Sequence, residues 1–282
     1  MSMVYYERLD ECFERFGGGA HLPTTSVDGL RVDYTDAGVG LPLVFVAGLF
    51  GSVEWFRYQI SGLSGRYRVL GYNLRPARGR VDYSLDLLVH DLVRFLDKLR
   101  IHAAVVVGHT LGAMVALKFA SVHPERALAV VAVSAAPSFA GVSEEDMIAR
   151  LSPGEIEQES LLARLWRRIA GARTAIEDDA DPLAYLARHG GAADRATIGA
   201  RLRLLREIDI TPVLTALEAP TLVIAGARDW SRILGGSQLI DQGVVDSTIE
   251  VIEDADHFCF FTRHDIFNTI LDDFVSHKVP RT

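Results

Sequence analysis

Cysteine is scarce in this chain: 282 residues contain two, Cys12 and Cys259, far apart in sequence. That count excludes a disulfide framework and leads us to expect a reduced, cytoplasmic protein. Long apolar runs are missing too. No stretch approaches about 18 uninterrupted apolar residues, so no membrane partner is expected. The segment VYYERLDECFERF near the N-terminus lacks the apolar centre and cleavage site of a secretory signal. Positive charge is in deficit, with 29 Lys and Arg against 37 Asp and Glu and a net charge of −8. Such a surface repels phosphate backbones, which argues against nucleic acid. The nine histidines form no H-x-x-x-H pair and the cysteines no C-x-x-C, so no metal site is expected. No Gly-x-Gly-x-x-Gly follows the first strand, so no dinucleotide is implied, and no cofactor is expected.

What is present is an alternation of strands and helices. Leu30–Asp36 alternates and turns at Gly38 and Gly40, as an antiparallel edge strand would. Leu43–Ala47 is a continuous apolar run, the mark of a strand buried on both faces. Arg68–Leu74, Ala104–Val107, Leu128–Val133, Thr221–Ala225 and Thr248–Ile252 are further strand candidates. Between them, Ser84–Leu99 carries one apolar stripe, Leu111–Ala120 follows a strand directly, and Ile266, Ile270, Leu271 and Phe274 stripe a last helix. This order implies a mainly parallel sheet covered on both faces. Val4, Leu9, Cys12, Phe13 and Phe16 space a helix over 3–16. It docks on the body or on a second subunit of a homodimer, and the sequence leaves both open.

From Pro137 to about Pro212 no strand is convincing. Leu161, Leu162, Leu165, Trp166 and Ile169 form one amphipathic helix; Leu202, Leu204, Leu205 and Ile208 suggest another. The expected division is therefore a core over 1–136, a helical cap over 137–212, and the rest of the core over 213–282.

The sharpest local signal is Gly108-His109-Thr110-Leu111-Gly112, after an apolar strand and opening a helix. This is the setting of a strand–turn–helix nucleophile elbow, G-x-S-x-G. A β-carbon at either glycine would collide where helix and strand nearly touch. The central side chain is thrust outward, and the Leu111 N–H stands beside it at a helix N-terminus. Two further loops follow strands: Gly226-Ala227-Arg228-Asp229 and Asp254-Ala255-Asp256-His257. Asp256 is a sequence neighbour of His257 and so is poorly aimed at its imidazole, which leaves Asp229 as the better partner.

The stretches VVVGHTLGAMVALKFASVHPERALAVV, PTLVIAGARD and DADHF resemble the α/β-hydrolase fold superfamily over roughly Leu30 to the C-terminus. The resemblance implies an α/β architecture: a mainly parallel eight-stranded sheet, helices on both faces, and an inserted helical cap. It also implies a triad in the order nucleophile, acid, base: Thr110, Asp229 and His257. The oxyanion hole falls on the backbone N–H groups of Leu49 and Leu111, although Ala47 stands where the family usually has histidine before Gly48. Phe50 and Trp55 beside that turn, and Trp166 on the cap, are the candidate substrate-binding residues; for Trp55 core packing is an equal reading. His109 packs behind the elbow, and Cys259 reads as core packing rather than a thiol nucleophile. Arg164, Arg167 and Arg168 face either a substrate carboxylate or solvent.

Threonine at the elbow is the chief departure, because a β-branched residue is costly at positive φ. It is either a slower nucleophile, a partner of a His257-activated water, or a remnant. The run GHTLGA, with no histidine before Gly48, is similar to the aminoacrylate hydrolases of pyrimidine breakdown, whose elbow residue is also not serine. The ordered trio Thr110, Asp229 and His257, with backbone donors at Leu49 and Leu111, implies hydrolysis of a small, largely apolar ester, amide or related acyl compound. The alternatives are a catalytically silent ligand-binding protein, and a cofactor-free lyase or dioxygenase that uses the His–Asp pair as a base. The loop Ser134-Ala135-Ala136-Pro137 carries no carboxylate, which counts against a dioxygenase.

Overall fold

Period-2 alternation of apolar side chains decides the architecture. Leu43 and Phe45 join one core cluster while Val44 and Val46 join the other. Val105 and Val107 likewise oppose Ala104 and Val106. A strand with two apolar faces must be covered twice. The computed structural model describes residues 23–77, 82–152, 185–186 and 195–280. Its eight strands are β1 (Thr24–Val27), β2 (Leu30–Ala37), β3 (Pro42–Val46), β4 (Arg68–Tyr72), β5 (Ala104–His109), β6 (Ala127–Val133), β7 (Thr221–Gly226) and β8 (Ser247–Ile252). They lie in the order β1-β2-β4-β3-β5-β6-β7-β8. β1 and β2 pair antiparallel, as do β2 and β4, and every other neighbour is parallel.

The described helices are α1 (Arg57–Leu63), α2 (Leu85–Lys98), α3 (Leu111–Val122), α4 (Glu144–Leu151), α5 (Arg195–Glu207), α6 (Thr211–Leu214), α7 (Ser231–Gly243), α8 (Cys259–Thr262) and α9 (His264–Lys278). Ser84 caps α2, its hydroxyl accepting from the Leu87 N–H at 3.3 Å. Residues of α2, α3 and α7 fill the core on one face; those of α1, α8 and α9 fill the other. No described helix is long and apolar enough to cross a membrane.

β3 and β5 are neighbours, but the chain leaves them toward opposite faces: β3 leads to α1 and β5 to α3. Such a divergence opens a crevice at the carboxyl ends of the two strands, where α/β sheets bind ligands. Gly48 and Thr110 both stand there. Between β6 and β7 the described elements are helices α4, α5 and α6. The two ends of this insertion meet, with Ser138 bridged to Asp209 and the Ile210 N–H donating to Pro137 O at 2.9 Å.

One expectation is corrected. Leu30–Asp36 is not an edge strand, because β1 covers its first half and β4 its second. The signal for β1 was Asp28-Gly29, a two-residue loop with φ of 47° and 82° that closes a hairpin. The helix over 3–16 and the cap helix carrying Arg164, Trp166, Arg167 and Arg168 lie outside the described residues.

Tyr72 offers a test of core energetics. Its ring stacks on Phe95 with centroids 4.7 Å apart, yet among the described residues its buried hydroxyl has no hydrogen-bond partner. Burial pushes this phenol well above its ordinary pKa. Tyr72→Phe keeps the ring and removes a desolvated, unsatisfied oxygen, so it should stabilise the fold by about 1 kcal/mol. Urea denaturation checks this; a destabilised variant would show that the hydroxyl is bonded after all.

Candidate active site

The elbow forms because two glycines permit it. A β-carbon on Gly108 would run into the Gly112 carbonyl, and one on Gly112 into the Val46 carbonyl. Between them the backbone turns sharply: Thr110 has φ 51° and ψ −106° and is followed at once by α3. Its N–H donates to Val133 O at 3.0 Å, and its own carbonyl accepts from Ala113 at 3.1 Å. A β-branched residue held in this region stores strain of order 1–3 kcal/mol. The surrounding bonds over-determine the turn, so the strain persists.

The three candidate triad residues come together. Thr110 Oγ1 lies 2.9 Å from His257 Nε2, and His257 Nδ1 lies 3.1 Å from both Asp229 oxygens. A carboxylate only accepts, so His257 carries its proton on Nδ1. Its Nε2 is then a bare acceptor facing the Thr110 hydroxyl. Asp229 is fixed in turn by the Trp230 N–H, which donates to Oδ1 at 2.7 Å. Thr110, His257 and Asp229 are all buried. Asp256 is spent elsewhere, accepting from the Phe258 N–H at 2.9 Å.

His109 sits behind the elbow, with its ring 4.7 Å from that of His257. Its Nε2 is 3.0 Å from His257 O and 3.3 Å from Thr110 Oγ1. A carbonyl can only accept, so Nε2 bears the proton and ties down the His257 backbone. Burial, with the neighbouring His257, holds the His109 pKa well below the ordinary histidine range and keeps the ring neutral.

Among the described residues, no hydrogen bond engages the backbone N–H of Leu49 or of Leu111, and both residues are buried. Buried backbone donors rarely stay unengaged unless something else is to fill the site. The Gly48 turn abuts the elbow: a β-carbon on Gly48 would stand 3.4 Å from Thr110 Cβ and 2.9 Å from His109 Nδ1. The turn is closed by the Gly51 N–H donating to Gly48 O at 3.2 Å, and the Val53 N–H donates to Asn73 Oδ1 at 3.0 Å.

Phe50 is half-buried and packs against both core clusters. Trp55 is 1% exposed, with its indole N–H donating to Leu186 O at 2.9 Å and its ring edge-on to Phe258. Trp166 lies outside the described residues. The Cys259 thiol, also buried, is pushed up to about 12 by desolvation, which keeps it protonated and inert. Among the described residues no cluster of His, Cys, Asp and Glu could hold a metal ion. Sequence reasoning passed over Arg201. It lies in ARLRLLR among other arginines, and nothing in that pattern sets it apart.

A family model described as alpha/beta hydrolase fold matches residues 42–168. An enol-lactonase from Burkholderia xenovorans superposes with a TM-score of 0.74 at 20% identity, covering 90% of this chain and all of that one (100%). The chain has the α/β-hydrolase fold. A meta-cleavage product hydrolase from Pseudomonas fluorescens shares the α/β-hydrolase fold at a TM-score of 0.71 and 21% identity, over 91% and 98% of the two chains. In sequence, the chain is 29% identical to the pimeloyl-(acyl-carrier protein) methyl ester esterase of Aeromonas hydrophila, across 87% of this chain and 99% of that one. It is also 29% identical to the putative carbamate hydrolase RutD of Variovorax paradoxus, across 84% and 92%. The latter similarity agrees with the resemblance to the hydrolases of pyrimidine breakdown.

Proposed function

We propose that the protein hydrolyses a small, largely apolar ester, amide or related acyl compound, with Thr110 in the place of the usual serine. The observation that carries this reading is the contact of Thr110 Oγ1 with a His257 Nε2 whose tautomer is set by Asp229. In the proposed reaction His257 takes the hydroxyl proton as Oγ1 attacks the acyl carbon. The oxyanion is met by the N–H groups of Leu49 and Leu111, which lack other acceptors among the described residues. The imidazolium, stabilised by Asp229, then protonates the leaving group, and water attacks the acyl-threonine by the same route in reverse. The names of the relatives, an esterase and a putative carbamate hydrolase, support this class of chemistry.

A panel of p-nitrophenyl esters at neutral pH tests the proposal, and the acid is its specific probe. Asp229→Asn offers the wrong hydrogen-bonding partner to the imidazole and no charge to offset its protonation. The same change in a serine protease costs about 10⁴ in kcat, and a loss of that order is expected here with the fold intact. Asp256→Asn should stay near wild type. The reverse outcome, with Asp256 critical and Asp229 silent, would overturn the assignment.

A second reading keeps Asp229 and His257 as the base but lets them activate a water directly. It is favoured by the Thr110 residue type: a β-branched side chain at φ 51° is strained, and its methyl adds bulk next to the attacking oxygen.

A further inference from the structure

Arg201 is buried to 3% exposure on α5, in the insertion, and its contacts are unusual. One terminal nitrogen donates to Leu49 O at 2.9 Å, the other to Leu74 O at 3.1 Å, and Nε to the Tyr83 hydroxyl at 3.1 Å. The Tyr83 hydroxyl passes the bond on, donating to Arg75 O at 3.0 Å. Among the described residues no carboxylate pairs with Arg201; nearby Arg75 is neutralised by Asp91. Four residues earlier, on the same helix face, the Thr197 hydroxyl accepts from the Ala77 N–H at 2.9 Å.

Burying a guanidinium without a counter-charge is expensive, and a leucine or methionine would fill such a space at lower cost. Stability therefore does not explain the residue. Its three acceptors do, because one of them is the carbonyl of Leu49. Among the described residues the Leu49 N–H has no acceptor, and Leu49 follows Gly48, whose turn abuts Thr110. Four of the six residues of its loop, Ala47-Gly48-Leu49-Phe50-Gly51-Ser52, are Ala, Gly or Ser, and the two glycines add little stiffness of their own. A donor must sit about 2.7–3.1 Å from the developing oxyanion to count, so a loose loop would waste it.

We propose that Arg201 is a positioning residue: a strap from the helical insertion that clamps the Leu49 carbonyl, aims the Leu49 N–H, and ties the seating of the insertion to assembly of the oxyanion hole. Clamping the carbonyl holds the Leu49–Phe50 peptide in place and so restrains, across the φ and ψ of Leu49, the preceding peptide that bears the N–H. The buried cation also adds positive potential where negative charge would develop. This inference rests on the hydrolase reading above for its catalytic consequence, but the clamp itself is a physical property of the loop.

The test combines amide hydrogen exchange with kinetics in Arg201→Met and Arg201→Lys. Exchange in the peptide spanning 47–53, where Gly51 and Val53 carry the protecting bonds, should rise about tenfold or more in Arg201→Met, with sheet peptides unchanged. Ester turnover should fall in kcat by roughly 10²-fold, the order seen when one oxyanion donor is lost, with KM within about twofold. Affinity for a trifluoromethyl ketone that mimics the oxyanion should fall in parallel. Arg201→Lys, which keeps the charge and one carbonyl bond, should recover part of each. If Arg201→Met does not fold, Tyr83→Phe is used with Arg201→Lys; it removes one anchor of the guanidinium and should raise exchange in 47–53 more mildly. Wild-type exchange in 47–53 with unchanged kcat, or a loss confined to KM, would overturn the proposal. A wild-type protein inert to every ester, but with the exchange increase intact in Arg201→Met, would sink the hydrolase reading and leave the strap standing.

Discussion

His257→Ala should lower kcat on p-nitrophenyl esters by on the order of 10⁶, leaving only the residual rate that substrate binding and the oxyanion donors supply. Among the described residues, its imidazole is the single group in contact with both the Thr110 hydroxyl and the Asp229 carboxylate. Without it, Oγ1 has no base, the leaving group has no acid, and the buried Asp229 carboxylate loses its imidazole hydrogen-bond partner. In a serine protease built on the same three roles, removing the histidine costs on the order of 10⁶ in kcat, about as much as removing the whole triad. Partial compensation by His109 is not expected. Its Nε2 proton is already given to His257 O, and its burial disfavours the charged form. Initial rates on a short-chain ester, with the denaturation midpoint measured beside them, check the point. Turnover in His257→Ala close to that of the wild type would remove the triad from the mechanism.

Thr110 carries the second large effect, and its two atoms beyond Cβ predict opposite signs. The hydroxyl is the proposed nucleophile. The methyl is a burden on a residue already strained at φ 51°. Thr110→Ser keeps the oxygen and relieves the crowding, so kcat should be preserved or raised. Thr110→Ala removes the oxygen and should cost about as much as losing the base, on the order of 10⁶, since groups that act as one unit fail together. The water-activation reading expects otherwise: Thr110→Ala would keep much of its activity. Steady-state kinetics of the pair against the wild type separates the two.

Much of this site was legible in the sequence because its signals are local. Gly108 and Gly112 announce a turn too tight for side chains, and the structure shows what each would strike. Asp229 and His257 stand directly after strands β7 and β8, so knowing the strands placed the residues. The rest was hidden where tertiary contact outweighs local pattern. Strand β1 is only four residues long and poorly buried, so it gave little alternation to see. Helix α7 contains Gly235 and Gly236, which lower helix propensity. Gly236 is there because a β-carbon would strike Ala136. Arg201 was the least visible of all, since its significance lies in carbonyls far away in sequence, at Leu49 and Leu74. The roles of His109 and Asn73 as anchors of neighbouring loops are likewise properties of the folded chain alone.

The most direct test of the central claim is the mass of the protein after reaction with a fluorophosphonate, followed by peptide mapping. If Thr110 is a nucleophile activated by His257, the wild type gains one phosphonyl group on the peptide containing Thr110. The label should be absent from Thr110→Ala and from His257→Ala, and retained in Thr110→Ser. A wild type that hydrolyses esters yet takes no label, or that is labelled equally in Thr110→Ala, would contradict covalent catalysis at Thr110.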